Sequence, residues 1–114
     1  MAYDANNIFA RMVRGEIPCT KVYEDADTLA FMDIMPQSEG HTLVIAKVAG
    51  ENLFDTPPAA VLAAMRTTQQ VARAVQRAFA APGLIVTQFN GPVAGQTVFH
   101  LHWHILGGKI KGLA

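Results

Sequence analysis

Cysteine is nearly missing from this chain; Cys19 is the only one. One thiol cannot close an internal disulfide, which excludes a disulfide-stapled secreted scaffold and points to a reducing cytosol. Net charge is missing too: 9 Lys and Arg balance 9 Asp and Glu. No basic patch interleaved with aromatics occurs, so the chain is not read as a binder of nucleic-acid polymers. No apolar run approaches a membrane span, and none is expected. The opening MAYDANN lacks the charged-then-apolar pattern of a secretory signal. There is no internal repeat, low-complexity tract or linker, and the chain reads as one domain over 1–114. What it does hold is apolar residues, 51% against 16% charged. That is too apolar for disorder and implies a well-covered sheet or a self-association surface.

The pattern of elements follows from punctuation and periodicity. NNIFARMVRGEIP reads as a short helix capped by Asn6 or Asn7, ended by Gly15 and followed by Pro18. KVYED and TLAFMDI read as strands with a hairpin turn at Glu24–Asp27. HTLVIAK reads as a buried strand. From Thr56 to Gly83 a long helix is expected, with Val61, Leu62, Met65, Ala72, Val75 and Phe79 as its apolar face. LIVTQFN and VFHLHWHIL read as the last strands, joined by the Gly-rich loop GPVAGQT. Strands in hairpins with two helices predict an α+β fold: a five-stranded, mostly antiparallel sheet, one short N-terminal helix and one long central helix. One face of such a sheet can stay wet.

Three of the four histidines stand at strict alternation in HLHWHIL. In a strand, His100, His102 and His104 share one face, and Leu101, Trp103 and Ile105 the other, core face. A neutral solvated surface would not select three imidazoles in a row. Two chemistries compete: a metal site with imidazole ligands, or phosphoryl or nucleotidyl transfer with an imidazole nucleophile. NGPVAGQT favours the second. Its glycines let backbone N–H groups turn toward an anion, and Gln96 and Thr97 add donors. Metal ligands want supporting carboxylates, and no Asp or Glu lies between Gln69 and the C-terminus. Phosphate chemistry therefore outweighs metal.

HLHWHIL, preceded by AGQ and followed by GG, resembles the His-φ-His-φ-His-φ-φ signature of the histidine-triad (HIT) nucleotide-binding proteins. FARMVRGEIPCTKVYEDADTLAFMDIMPQSEGHTLVIAK resembles the family's N-terminal half. The length and the LGG ending are most similar to the Hint phosphoramidase branch. The loop also resembles the Fhit branch, which cleaves dinucleoside polyphosphates.

The resemblance implies a homodimer in which two five-stranded sheets join into one. It implies a purine nucleotide ligand resembling AMP, and cleavage of nucleoside phosphoramidates or related phosphate esters at the α-phosphate. His102 would be the nucleophile, forming a nucleotidyl-histidine. The His100 carbonyl would accept from His102 Nδ1 and fix its tautomer. His104 would bond the phosphate or leaving group and supply its proton, as an imidazole titrating near pH ~6.5. His41, in GHTLVI, would support the triad; its plain alternative is a packing residue at a strand start. Asp33 and Ile34 match the ribose position, where a turn cap is the alternative. Gly95, Gln96 and Thr97 would hold the phosphate, and Ile8, Phe9, Met12, Phe31 and Met32 would wall the base.

Three departures accompany the resemblance. Where the family often has Asn or Gln, this chain has Phe89, flanked by Gln88 and Asn90; Asn90 is carried as the substitute. The cysteines and histidine of the structural zinc site in some bacterial relatives are missing from DANNIFA and AKVAGEN. No metal or other cofactor is expected, and Cys19 reads as a small buried filler. The Hint C-terminus, which shapes leaving-group preference, is not matched by KIKGLA. A dinucleoside polyphosphate hydrolase, a nucleotide-binding adaptor with little turnover, and a tri-histidine metal protein stay open as alternatives.

Overall fold

The computed structural model describes residues 2–107. Helix α1 (Ile8–Val13) starts where Asn7 caps it, its side-chain oxygen accepting from Ala10 N–H at 2.9 Å. Gly15, at φ 78°, turns the chain away after the last helical residue. Strands β1 (Lys21–Glu24) and β2 (Thr28–Met32) form a hairpin organised by Asp25, whose Oδ1 accepts from the N–H groups of Asp27 and Thr28. Strand β3 (Thr42–Ala46) is buried throughout. Helix α2 (Pro58–Ala78) begins on Pro58, whose missing N–H costs nothing at that position. Strand β4 (Leu84–Thr87), a 3-10 turn (Pro92–Ala94) and strand β5 (His102–Gly107) complete the order.

The five strands form one sheet in the order β1-β2-β3-β5-β4, every neighbouring pair antiparallel. The expected α+β class and its two helices are present. Register fixes the two faces. His104 pairs with Leu43 and His102 with Ile45, while Trp103 pairs with Val44. Phe9 of α1 packs with Leu29, Phe31, Leu43 and Ile45 on the histidine side. Helix α2 covers the other side, against Ala30, Val44 and Ile105 and, further along, Leu101 and Trp103.

Three expectations change. The last strand begins at His102, not Val98, so His100 stands in the turn just before it. The imidazole face is mostly covered: α1 packs over it and leaves His102 only 6% exposed, while His104 stays partly open to the cavity beside it. Helix α2 buries Val75 as expected, but the rest of its buried face is Ala60, Ala64, Thr67, Thr68 and Val71, and Leu62 stays 65% exposed. Small side chains let the helix approach the sheet. The threonine hydroxyls stay satisfied: Thr67 bonds Thr28 Oγ1 at 2.7 Å and Thr68 donates to the Ala64 carbonyl at 2.8 Å. Among the described residues no helix is long and apolar enough to cross a membrane. Gly108 and KIKGLA lie outside the described residues.

Candidate active site

Between α1, the β2–β3 loop and the start of β5 lies a cavity of about 360 Å³. His102, His104, Thr97 and Asp33 line one part; Ile8, Phe9, Met12 and Phe31 belong to its apolar lining, together with Ile34. The size and the mix of an apolar wall with a few polar groups suit a small ligand. A larger groove of about 600 Å³ runs between α2 and β4 on the other face, but it contains none of the histidines.

Hydrogen bonds assign the proton on each imidazole. His102 Nδ1 lies 2.6 Å from the His100 carbonyl oxygen, which can only accept. The proton is therefore on Nδ1, and Nε2 keeps its lone pair. His100 Nε2 faces the Ala46 carbonyl, so it donates there, and its Nδ1 accepts from the Tyr3 hydroxyl at 2.6 Å. His41 Nδ1 accepts from the Gln37 N–H at 3.0 Å, which places the proton on its Nε2. That Nε2 stands 3.1 Å from His104 Nδ1 and 3.4 Å from Asp33 Oδ2. His104 Nδ1 accepts, and its own proton is on Nε2.

The surroundings keep these rings neutral. Burial pushes His102 and His100 below the ordinary histidine value, against the opposing pull of their carbonyl partners. Burial lowers His41 as well, partly offset by Asp33. His104 falls to about 4, through burial first and then its neighbours His102 and His41. The unperturbed titration expected of His104 is thus corrected: without a ligand it is neutral at pH 7.

Asp33, His41 and His104 bring ligand atoms within 4.8 Å of one another, a spacing that could hold a metal ion. The donor set does not suit one. A metal on His41 Nε2 would require the proton on Nδ1, where the Gln37 N–H already points. His100 is likewise spent, with both ring nitrogens bonded.

The Gly-rich loop is built differently from the expected cradle. Gly95 N–H and Gln96 N–H donate to the Pro92 and Gly91 carbonyls, closing the loop's own turn. The buried Gln96 amide accepts from Gly91 N–H and Asn52 Nδ2 and donates to the Glu51 and Val98 carbonyls. Gln96 is a brace, and Thr97 is the member of this segment that reaches the cavity. Asn90 is also turned to structure: its Oδ1 accepts from Leu53 N–H at 2.8 Å, and it exchanges bonds with Gln88. Phe89 instead lies against His104, ring centroids 5.5 Å apart. Asp33 caps the turn, its Oδ1 accepting from Met35 N–H at 2.9 Å, and it also lines the cavity. Ile34 is 86% exposed at the rim. Cys19 is half-buried in the cavity wall and not fully enclosed.

Two contributors escaped the sequence reading. Gln37 acts through its backbone, which leaves no side-chain signal. Tyr3 precedes α1 in a segment that carries no motif, and only the tertiary fold brings it to His100.

The sequence matches the HIT domain family over residues 14–111. It is 37% identical over 102 residues to adenylylsulfatase HINT3 of Arabidopsis thaliana, covering 90% of this chain and 52% of that protein. With adenosine 5'-monophosphoramidase HNT1 of Saccharomyces cerevisiae it shares 37% identity over 103 residues, 90% of this chain and 63% of the yeast protein. It thus spans about half of the plant protein and less than two thirds of the yeast one. Among solved structures, a HIT-like protein of Bartonella henselae superposes with a TM-score of 0.92 at 50% identity, covering 98% of this chain and 86% of that one.

Proposed function

The chain belongs to the HIT family and has Hint-like relatives, and on that premise we propose that it hydrolyses purine nucleoside phosphoramidates or related phosphate esters at the α-phosphate. The observation that carries the reading is the 2.6 Å contact from His102 Nδ1 to the His100 carbonyl. It leaves a lone pair on His102 Nε2, in a ring that lines the cavity.

In the first step that lone pair attacks the α-phosphorus. A P–Nε2 bond forms, the bond to the leaving amine breaks, and the amine departs with a proton from His104. In the second step water attacks phosphorus from the cavity and gives a proton to His104. The P–Nε2 bond breaks, releasing the nucleoside monophosphate and neutral His102. The His100 carbonyl stabilises the positive charge on His102 while the nucleotide is attached. For His104 to act as the acid it must first gain a proton on Nδ1, at which His41 Nε2–H turns from that nitrogen to Asp33 Oδ2, 3.4 Å away. The arriving phosphate supplies the negative charge that favours this, and Asp33 pulls in the same direction. Asp33 would also bind the ribose hydroxyls, Thr97 the phosphate, and Phe9, Phe31 and Ile8 the base.

The working form is a homodimer in the reducing cytosol. Edge strand β4, with Val86 42% exposed beside the groove against α2, supports the joining of two sheets. The test is hydrolysis of adenosine 5'-phosphoramidate by wild type and His102→Ala with a chelator present. Turnover that survives chelation and is lost in the variant supports the proposal. Equal turnover in both proteins refutes the assignment of His102.

A further inference from the structure

Beyond the histidines, a contact from the N-terminal segment reaches the residue that holds His102. Tyr3 and His100 are separated by 97 positions, yet the phenol oxygen lies 2.6 Å from His100 Nδ1. The ring centroids are 5.8 Å apart. The Ala46 carbonyl takes the Nε2 proton, so the Nδ1 lone pair needs a donor. His100 is 1% exposed, and bulk water does not reach it. Tyr3 is the donor.

The segment that carries Tyr3 is itself held. Asn7 Nδ2 donates to the Asp4 carbonyl at 2.7 Å, and Asn6 N–H donates to Asp4 Oδ1 at 2.8 Å. Arg14 grips the Ala5 carbonyl at 2.8 Å. Residues 4–7 thus form a tight turn that also caps α1, the helix whose Phe9 packs on His102 with ring centroids 4.9 Å apart. Tyr3 leaves this turn directly into its bond with His100.

We propose that Tyr3 is a positioning residue of the active site: by donating to His100 Nδ1 it fixes His100, whose carbonyl in turn holds His102 with Nε2 unprotonated. The proposal rests on the reading of His102 as nucleophile. Without the hydroxyl, His100 has a buried acceptor with no donor while its Nε2–H stays committed to the Ala46 carbonyl, and its ring gains by tilting. That tilt moves the His100 backbone, and with it the carbonyl that accepts from His102 Nδ1–H.

The experiment compares wild type, Tyr3→Phe and Tyr23→Phe. Tyr23 is the control because its hydroxyl donates to Asp25 at 2.9 Å in the remote β1–β2 hairpin. Imidazole nitrogen resonances of 15N-histidine protein report the tautomers, and adenosine 5'-phosphoramidate hydrolysis reports kinetics. In Tyr3→Phe the His100 Nδ1 resonance moves toward that of an unbonded acceptor and the His102 tautomer becomes mixed. The kcat falls about tenfold, as expected for the loss of one oriented hydrogen bond, while KM changes little and the pH–rate profile shifts. Tyr23→Phe lowers melting temperature without any of these effects.

An unchanged His100 Nδ1 resonance overturns the proposal. So does an altered His100 resonance with an unaltered His102 tautomer and wild-type kcat. Should wild type itself show no turnover, the hydrolase reading fails on its own, and the His102 tautomer in Tyr3→Phe still decides the role of Tyr3. A Tyr3→Phe protein whose kcat falls only in proportion to lost folded protein, as judged by thermal melts, also counts against it.

Discussion

His41 and His104 lie 63 positions apart and meet Nε2 to Nδ1 at 3.1 Å. The Gln37 N–H on the far nitrogen of His41 gives that contact its direction: His41 donates and His104 accepts. His104 is thereby held with Nε2–H available to a ligand. His41→Ala removes the donor and frees the ring. The expected result is a fall in kcat of roughly 10- to 100-fold, a fraction of what a general acid contributes. His41→Gln, whose amide N–H can stand in for Nε2–H, is expected to recover part of that loss. Steady-state kinetics on the two variants checks this.

Acid should weaken the fold in a defined window. All four histidines bind protons less readily in the folded protein than in the unfolded chain, where they titrate near pH ~6.5. Below that pH the unfolded state takes up more protons, so stability is fully present above ~6.5 and declines as pH falls toward the His104 value of about 4. The paired carboxylates act lower. Glu24, held at about 2 by Lys21 and then Lys47, loses its contribution only below the ordinary glutamate range. A melting temperature that drops between pH 7 and pH 5, with a shallower drop in His104→Gln, is the expected result.

Binding of AMP should draw a proton into the site. His104 is neutral without ligand, and a phosphate beside Nε2 favours its charged form. At pH 6, calorimetric titrations in buffers of different ionisation enthalpy should differ by the heat of transferring a fraction of a proton to the complex. His104→Gln should remove the difference. Buffer-independent heats in wild type would show that His104 stays neutral when the phosphate binds.

The Gly-rich loop should fail structurally before it fails chemically. Gln96→Ala leaves the Gly91 N–H and the Glu51 and Val98 carbonyls without their partner. The expected cost is about 2–3 kcal/mol of stability, read by denaturant unfolding. Asn90→Ala, which cuts the tie to Leu53, should cost about 1 kcal/mol and leave the KM for adenosine 5'-phosphoramidate unchanged. A large rise in KM for Asn90→Ala would return that residue to the ligand.

The legible parts of the sequence were those with a periodic or local signal. Alternation in HLHWHIL put His102 and His104 on one face and Trp103 on the other, and register with Leu43, Val44 and Ile45 bears this out. The Asn7 cap and the Asp25 hairpin were local and readable. The apolar face of helix α2 was legible at Val61, Ala72 and Val75 but not at Leu62 and Met65, because hydrophobicity favoured those larger residues while close packing on the sheet favoured Ala60, Ala64 and bonded threonines. Side-chain type also misled in the loop. Gln96 and Asn90 are polar enough to bind phosphate or ribose, but nothing local reveals that their amides are bonded to the backbone of Glu51 and Leu53. The depressed titration of His104 comes from burial and from neighbours brought together by tertiary structure, so the sequence could only offer the unperturbed value.

The central claim is that His102 Nε2 becomes covalently attached to the α-phosphorus. It is tested most directly by quenching wild type in alkali during turnover of adenosine 5'-phosphoramidate and mapping the peptide that contains HLHWHIL by mass spectrometry. The account predicts an adenylyl group on His102 that is stable in alkali, lost in acid and missing from His102→Ala. Rapid turnover with no adduct on this peptide, or an adduct on His100 or His104 instead, would contradict it.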